Sequence, residues 1–280
     1  MSLPPGDEAT KAKLPVWRTV GDAYATAFNN IESLFALAIV PIALSVVVWI
    51  GSIALLGTPF PQGDQQSAYQ SWSWLFTVCQ IVISTVFAVA WIRFVLFGRR
   101  DSAAPFQFRL GRREGKYLLY ILILTVPFVV VQFVGLGVFM ALTLTMENPS
   151  ALIGAAIFIL LFSLAIFVAM IVVYVRCLFV FPAIAVDADM GLRAAWGKSR
   201  GVAWRLFGIV LFALLPFALF LSLIMWSSQT LDAGSSELTF TYILGSAQQV
   251  VGYLGAAVTF GVVALAFRRV TGWRPAVADE

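Results

Sequence analysis

Four arginines, three prolines and four glutamines are the residues of this chain whose type and placement could do chemistry. Arg93, Arg176, Arg268 and Arg269 close three long apolar runs, which read AVAWIR, VVYVR and ALAFRR. A guanidinium at the edge of a membrane presents a planar fork of donors that matches phosphate oxygens. At mid-bilayer such a charge would cost at least about 2.5–3.5 kcal/mol, but near a span end the side chain snorkels to the headgroups. These arginines are therefore lipid-headgroup candidates, either as separate anchors or as a threefold basic ring that holds one anionic headgroup. Pro41, Pro127 and Pro216 sit inside apolar runs reading ALAIVPIAL, ILILTVPFVV and LFALLPFAL. Each removes a backbone donor and crowds the preceding turn, so each is expected to kink its helix. The kinks either shape packing or splay the helices around a central cavity. Gln80, Gln132, Gln248 and Gln249 are intramembrane amides, joined by Ser84, Thr85, Ser163 and Ser222. Such groups hydrogen-bond between helices or line a polar path.

Other chemistry is poorly provided for. The chain has no histidine, which excludes His-ligated haem, His–zinc sites and a His-based triad. Neither GxSxG nor HExxH occurs, and no pair of carboxylates falls within a span. Glu32 lies at the first turn of an apolar run, where a carboxylate complements the helix N-terminus. Cys79 and Cys177 are in no CxxC or metal-like spacing, and the threading derived below puts them in opposite leaflets, too far apart for a disulfide. The expectation is a protein that is not an enzyme, with no cofactor and no metal.

The elements that must position these residues are six apolar stretches, at about 31–56, 73–97, 117–142, 151–181, 203–227 and 240–267. The chain is 61% hydrophobic and 11% charged, against about 25% charged in soluble domains. Each stretch has the roughly 20 apolar residues that cross a bilayer as a helix, and the alternation of a membrane barrel is absent. The connectors at 57–72, 143–150 and 228–239 contain no Lys or Arg. Cations collect on the cytoplasmic side of membrane helices, so six crossings with both termini inside are expected. The net charge of +4 then reports topology and contact with anionic lipid rather than nucleic acid. No cleavable signal peptide is expected, and the first span would serve as an uncleaved signal-anchor.

Two amphipathic segments precede spans. Residues 15–30 place Trp17, Val20, Tyr24 and Phe28 at helical spacing, with Arg18 and Asp22 four apart and able to pair. Residues 189–204 place Leu192, Trp196 and Ala203 on one face and Arg193 and Arg200 on another. Both are expected to lie in the headgroup plane. Arg18 precedes Pro41 by 23 residues, and Arg193 precedes Pro216 by 23. Eleven residues before the prolines stand Asn30, Lys116 and Arg205. The distances from proline to terminal arginine are 52, 49 and 52 residues. This agreement predicts three hairpins of like orientation, a parallel pseudo-repeat about an axis near the membrane normal. Its middle copy has no clear leading amphipathic helix; the lead-in alternates at Phe106, Phe108 and Leu110. The expected divisions are a disordered tail at 1–13, one membrane domain at 14–270 with units of about 14–98, 99–181 and 182–270, and a tail at 271–280. Gly135, Gly137, Gly252 and Gly255, with Ala256 and Ala257, would let backbones approach or form a dimer face.

One stretch, FVFPAIAVDADMGLRAAWGKSRGVAWRLFGIVLFALLP at about 179–216, has a recognisable pattern. A span ends near Phe181 and Pro182. Asp187, Gly191, Ala194 and Ser199 follow, then Trp204 and Arg205 enter the next span. This resembles uncharacterised bacterial membrane proteins akin to the membrane domain of glycerophosphoryl diester phosphodiesterases. The resemblance covers about one seventh of the chain. It implies a six-helix membrane domain linked to envelope integrity. It does not imply phosphodiesterase activity, because the catalytic barrel of those enzymes is a separate part for which this chain has neither room nor histidines.

The expected fold is all-α: a polytopic membrane protein with six transmembrane helices as three hairpins and interfacial helices on the cytoplasmic side. The expected location is a bacterial inner membrane. The expected role is envelope organisation through membrane lipids, anionic headgroups included, or through a protein partner or second copy, with no nucleic acid. The alternative is a small transporter or lipid carrier with a cavity between Pro-kinked helices, lined by Gln80, Gln132 or Gln248.

Overall fold

The computed structural model describes residues 14–56, 65–98, 111–145, 149–231 and 237–275. The polar tail 1–13, the lead-in 99–110, much of the cation-free connectors and residues 276–280 lie outside the described residues. Those described are helical, with no strand among them. In chain order the helices are α1 (Val16–Asn29), α2 (Ile31–Leu56), α3 (Gln65–Phe97), α4 (Arg112–Thr145), α5 (Pro149–Cys177), α6 (Val180–Ala185), α7 (Leu192–Lys198), α8 (Ala203–Leu231) and α9 (Glu237–Thr271). Six of them, α2, α3, α4, α5, α8 and α9, are long and apolar enough to cross a membrane. The protein is an integral membrane protein of all-α class.

The three hairpins α2–α3, α4–α5 and α8–α9 each pack internally, and α3 meets α4, α5 meets α8 and α9 meets α2. The six long helices thus close a ring in chain order. The ring is flattened, because α3 and α9 also meet directly across it. Burial follows. In the most apolar window of each helix, 61% of residues are buried in α9 and 44% in α3, against 6% in α4 and 0% in α5. The most apolar span is the least buried and the least apolar is the most buried. Lipid tails are as apolar as leucine, so a span facing lipid needs hydrophobic side chains all round, whereas a central span needs small and polar ones that fit and bond.

The contacts of α9 supply such groups. Trp91 Nε1 in α3 donates to the carbonyl of Ala257 at 2.7 Å. The hydroxyls of Ser45 in α2 and Tyr253 in α9 pair at 2.9 Å, and Gln80 Nε2 donates to the Ser45 carbonyl at 3.1 Å. Gly245 lies where any Cβ would stand 2.2 Å from the indole nitrogen of Trp49, and a Cβ on Gly255 would stand 3.0 Å from Phe217. Gly135 is equally tight against Phe162, while Gly137 and Gly252 face open space.

The three prolines fall inside continuous helices, Pro41 in α2, Pro127 in α4 and Pro216 in α8. Pro41 is buried, whereas Pro127 and Pro216 are exposed on their helices. The hydroxyl of Tyr24 donates to the Ala213 carbonyl at 2.9 Å, in the turn before Pro216.

The amphipathic segment at 15–30 is α1. Thr19, Val20, Ala23 and Ala27 are buried, while Trp17 is 71% and Phe28 50% exposed. The small side chains let α1 approach α9, and its aromatic side rests on α8, with Trp17 4.7 Å from Phe212. Asp22 pairs with Arg269 of α9 rather than with Arg18. Within the segment at 189–204, α7 covers Leu192–Lys198 and α8 begins at Ala203; a turn through Gly201, at φ +89, separates the two. That left-handed conformation costs glycine nothing and a side chain much.

Candidate functional site

The short helices gather where α3, α5 and α9 end and α4 and α8 begin, so the bundle has one basic end. Each returning span meets a short helix there: α6 packs on α3, α7 on α5 and α1 on α9. An arginine takes part in each contact, and its partner differs in every case.

At the end of α3, Arg93 Nη1 donates to the Ala185 carbonyl at the end of α6, at 2.9 Å, and its guanidinium lies 5.0 Å from the Phe97 ring centre. Two residues on, Asp187 sits in the left-handed region at φ +54. Arg113, at the start of α4, donates Nε to Asp187 Oδ2 at 2.6 Å and pairs with it through Nη2 as well. That hydrogen bond holds the Asp187 carboxyl below the usual carboxylate range, and the charges of Arg113, Arg93 and Lys116 pull the same way against partial burial. The result is a cluster of three cations around one carboxylate that ties α3, α4 and the end of α6 together.

At the end of α9, Arg269 donates to the Thr19 hydroxyl at 2.5 Å and pairs with Asp22, both on α1. Thr19 in turn donates to the Pro15 carbonyl at 2.8 Å. Burial raises the phenol of Tyr24, on the same helix. Arg268, beside Arg269, is exposed.

At the end of α5, Arg176 lies with its guanidinium 4.6 Å from the centre of the Trp196 ring on α7. Its Nε is buried and has no hydrogen-bond partner among the described residues. It lines a cleft of about 210 Å³ together with Ile171, Val172, Val175, Gly201, Ala203, Trp204 and Phe207. The far wall is the first turn of α8, reached through the turn at 199–202.

The four arginines therefore lie at one end of the molecule, each pair of returning span and short helix holding at least one of them. A second cleft, of about 280 Å³, lies deeper between α4 and α5. It is lined by Gln132, Ser163, Phe128, Phe133, Phe167 and Met170 among others. Gln80 bonds α3 to α2, as above, and Gln248 and Gln249 are half-buried in α9. Cys79 and Cys177 are free thiols. Among the described residues no cluster of histidine, cysteine or acidic side chains could hold a metal.

Sequence reasoning missed Arg113, Asp187 and Trp196 as partners, and Phe207 as a wall. Asp187 carried a signal: it is one of two acids in a basic connector, and an acid there invites a pair. Trp204 opens a span, where interfacial aromatics concentrate. Comparison with known proteins finds no matching family model, no matching curated protein and no matching solved structure.

Proposed function

We propose that this chain is a non-enzymatic protein of the bacterial inner membrane, with both termini cytoplasmic, that supports envelope organisation by engaging lipid at its basic end. The observation that carries the reading is the use made of charge. Arg113–Asp187 and Arg269–Asp22 join connectors to span ends, and Arg93 caps α6. These contacts build a fixed platform of short helices at the headgroup level, where basic pockets between helices receive anionic headgroups. The cation-free connectors support the orientation, and the resemblance of residues 179–216 to membrane domains linked to envelope integrity supports the role.

The test is lipid retention. Protein extracted in mild detergent and analysed by native mass spectrometry is expected to keep anionic phospholipid in preference to zwitterionic phospholipid. Retention that mirrors the bulk membrane sinks the reading.

A second reading has its own observation: the α4–α5 cleft puts the amide of Gln132 and the hydroxyl of Ser163 on an otherwise apolar wall. A lipid carrier would use such a wall. It predicts faster transbilayer movement of a fluorescent phospholipid in proteoliposomes, slowed by Gln132→Leu; the first reading predicts no acceleration.

A further inference from the structure

We infer that the cleft at Arg176 is a binding site for the phosphate group of an anionic phospholipid, with the acyl chains leaving along α5 and α8. The inference rests on the proposed function and assigns its site.

The argument begins with how Arg176 is held. Arg93 and Arg269 give hydrogen bonds to oxygens of the protein, a carbonyl in one case and a hydroxyl and carboxylate in the other. Arg176 rests by contrast on an indole ring. A cation–π contact uses the face of the guanidinium and leaves its N–H donors, which lie in the plane, unspent. The Nε is buried and unpartnered. A buried charged donor requires an acceptor, and phosphate offers oxygens in the paired geometry the fork fits.

The opposite wall reinforces the sign. The cleft reaches Gly201, Ala203 and Trp204, at the start of the 29-residue helix α8, and a helix start carries partial positive charge. Residues 191–205 hold Arg193, Lys198, Arg200 and Arg205 and no acid. The remaining walls, Ile171, Val172, Val175 and Phe207, are apolar. Trp204 is 75% exposed at the mouth, the place an indole takes at a headgroup boundary. A charged head with an apolar exit is the shape of a phospholipid, and a soluble phosphate would leave the apolar walls unused.

The experiment uses the full chain in detergent, titrated with dioctanoyl phosphatidylglycerol, dioctanoyl phosphatidylcholine or inorganic phosphate and followed by native mass spectrometry and thermal shift. The wild type is expected to bind the glycerol lipid in preference to the choline lipid. Arg176→Gln should weaken the glycerol lipid by about tenfold or more, the usual effect of losing a charged hydrogen bond. Arg18→Gln, which removes an exposed charge from α1, should leave it unchanged. Ala203→Phe, which fills the cleft and keeps the Arg176 side chain, should weaken binding as much, and it decides the matter if Arg176→Gln does not fold. Equal binding by wild type, Arg176→Gln and Ala203→Phe overturns the site while leaving the lipid-engaging function standing. A wild type without preference for the anionic lipid overturns both. Saturation by inorganic phosphate with no binding of the glycerol lipid overturns the lipid assignment.

Discussion

Replacing Gly245 by alanine should separate α9 from α2 at their cation-free ends. A Cβ there would stand 2.2 Å from Trp49 Nε1, 2.5 Å from Cε2 and 2.9 Å from Cζ2. Ordinary contact between such atoms is about 3.5–4.0 Å, so the indole or the helix must move by more than an ångström. An indole is a rigid plate, and three of its atoms are involved rather than a flexible tip. Overpacking of this kind typically costs about 1–3 kcal/mol. Trp49→Phe removes the obstructing edge, so the double variant should be less destabilised than the two single changes added together. A coupling of about 0.5–3 kcal/mol is expected for residues in contact. Reversible unfolding of the four proteins in mixed micelles measures the cycle. Alanine at 245 with wild-type stability, or strict additivity with Trp49→Phe, would mean that α2 and α9 do not meet at this height and that α9 is not the post around which the bundle is packed.

Asp22→Asn should loosen α1 from α9 by about 1 kcal/mol or less, since both partners of the pair with Arg269 are partly exposed and screened; hydrogen exchange confined to α1 reads this, and unchanged protection there refutes it. The Asp187 carboxyl is held low, so its contribution to stability is present above the ordinary carboxylate value of about 3.9 and is lost as pH falls through the lowered folded-state value. Asp187→Asn should flatten that acid limb in unfolding midpoints taken between neutral and acid pH, and an unaltered limb counts against the pairing. With Cys79 and Cys177 replaced by alanine, single cysteines at Ser67, Ser150 or Ser235 should react with an impermeant maleimide added outside intact cells. Labelling of any of them only after lysis would reverse the threading.

How much of this was legible in the sequence depended on whether a signal was local. The bounds of α2 match the first apolar stretch at 31–56, because hydropathy and the want of cations are properties of the segment itself. The helix at 15–30 was legible, whereas spacing alone named no face for it to pack against α9. In water the aromatic stripe of Trp17, Tyr24 and Phe28 would turn inward. Beside a bilayer apolar character does not distinguish neighbour from solvent, and close packing selects the small stripe of Thr19, Ala23 and Ala27. The partner of Asp22 was misjudged for a related reason: Arg18 is near in sequence, Arg269 is near in space, and spacing reports only the first. Gly245 was passed over because one glycine gives no pattern; its meaning comes from Trp49 on another helix. At the candidate site, Arg176 stood out as a cation ending an apolar run, but three other arginines shared that description. What separates it is the identity of its partner, which only tertiary structure supplies.

The stations also differ in how the space beside the arginine is filled. Where α3, α6 and α9 meet, large aromatics fill the space. Trp91, Phe179 and Phe267 are fully buried, and Trp273 packs edge-on against Phe97 at 5.2 Å. At the third station, α5 meets α8 and α7 away from the central pair of α3 and α9. Here Trp196 is taken up with Arg176, Trp204 is largely exposed, and Phe207 forms one wall of the cleft. The pattern of returning span, terminal arginine and short helix recurs three times. Two copies close the pattern with protein groups and become structural clamps. The third leaves a cation facing an unfilled volume of about 210 Å³ beside a helix start. A cation without a hydrogen-bond partner among the described residues, beside such an opening, is the arrangement expected of a site whose last component comes from the membrane.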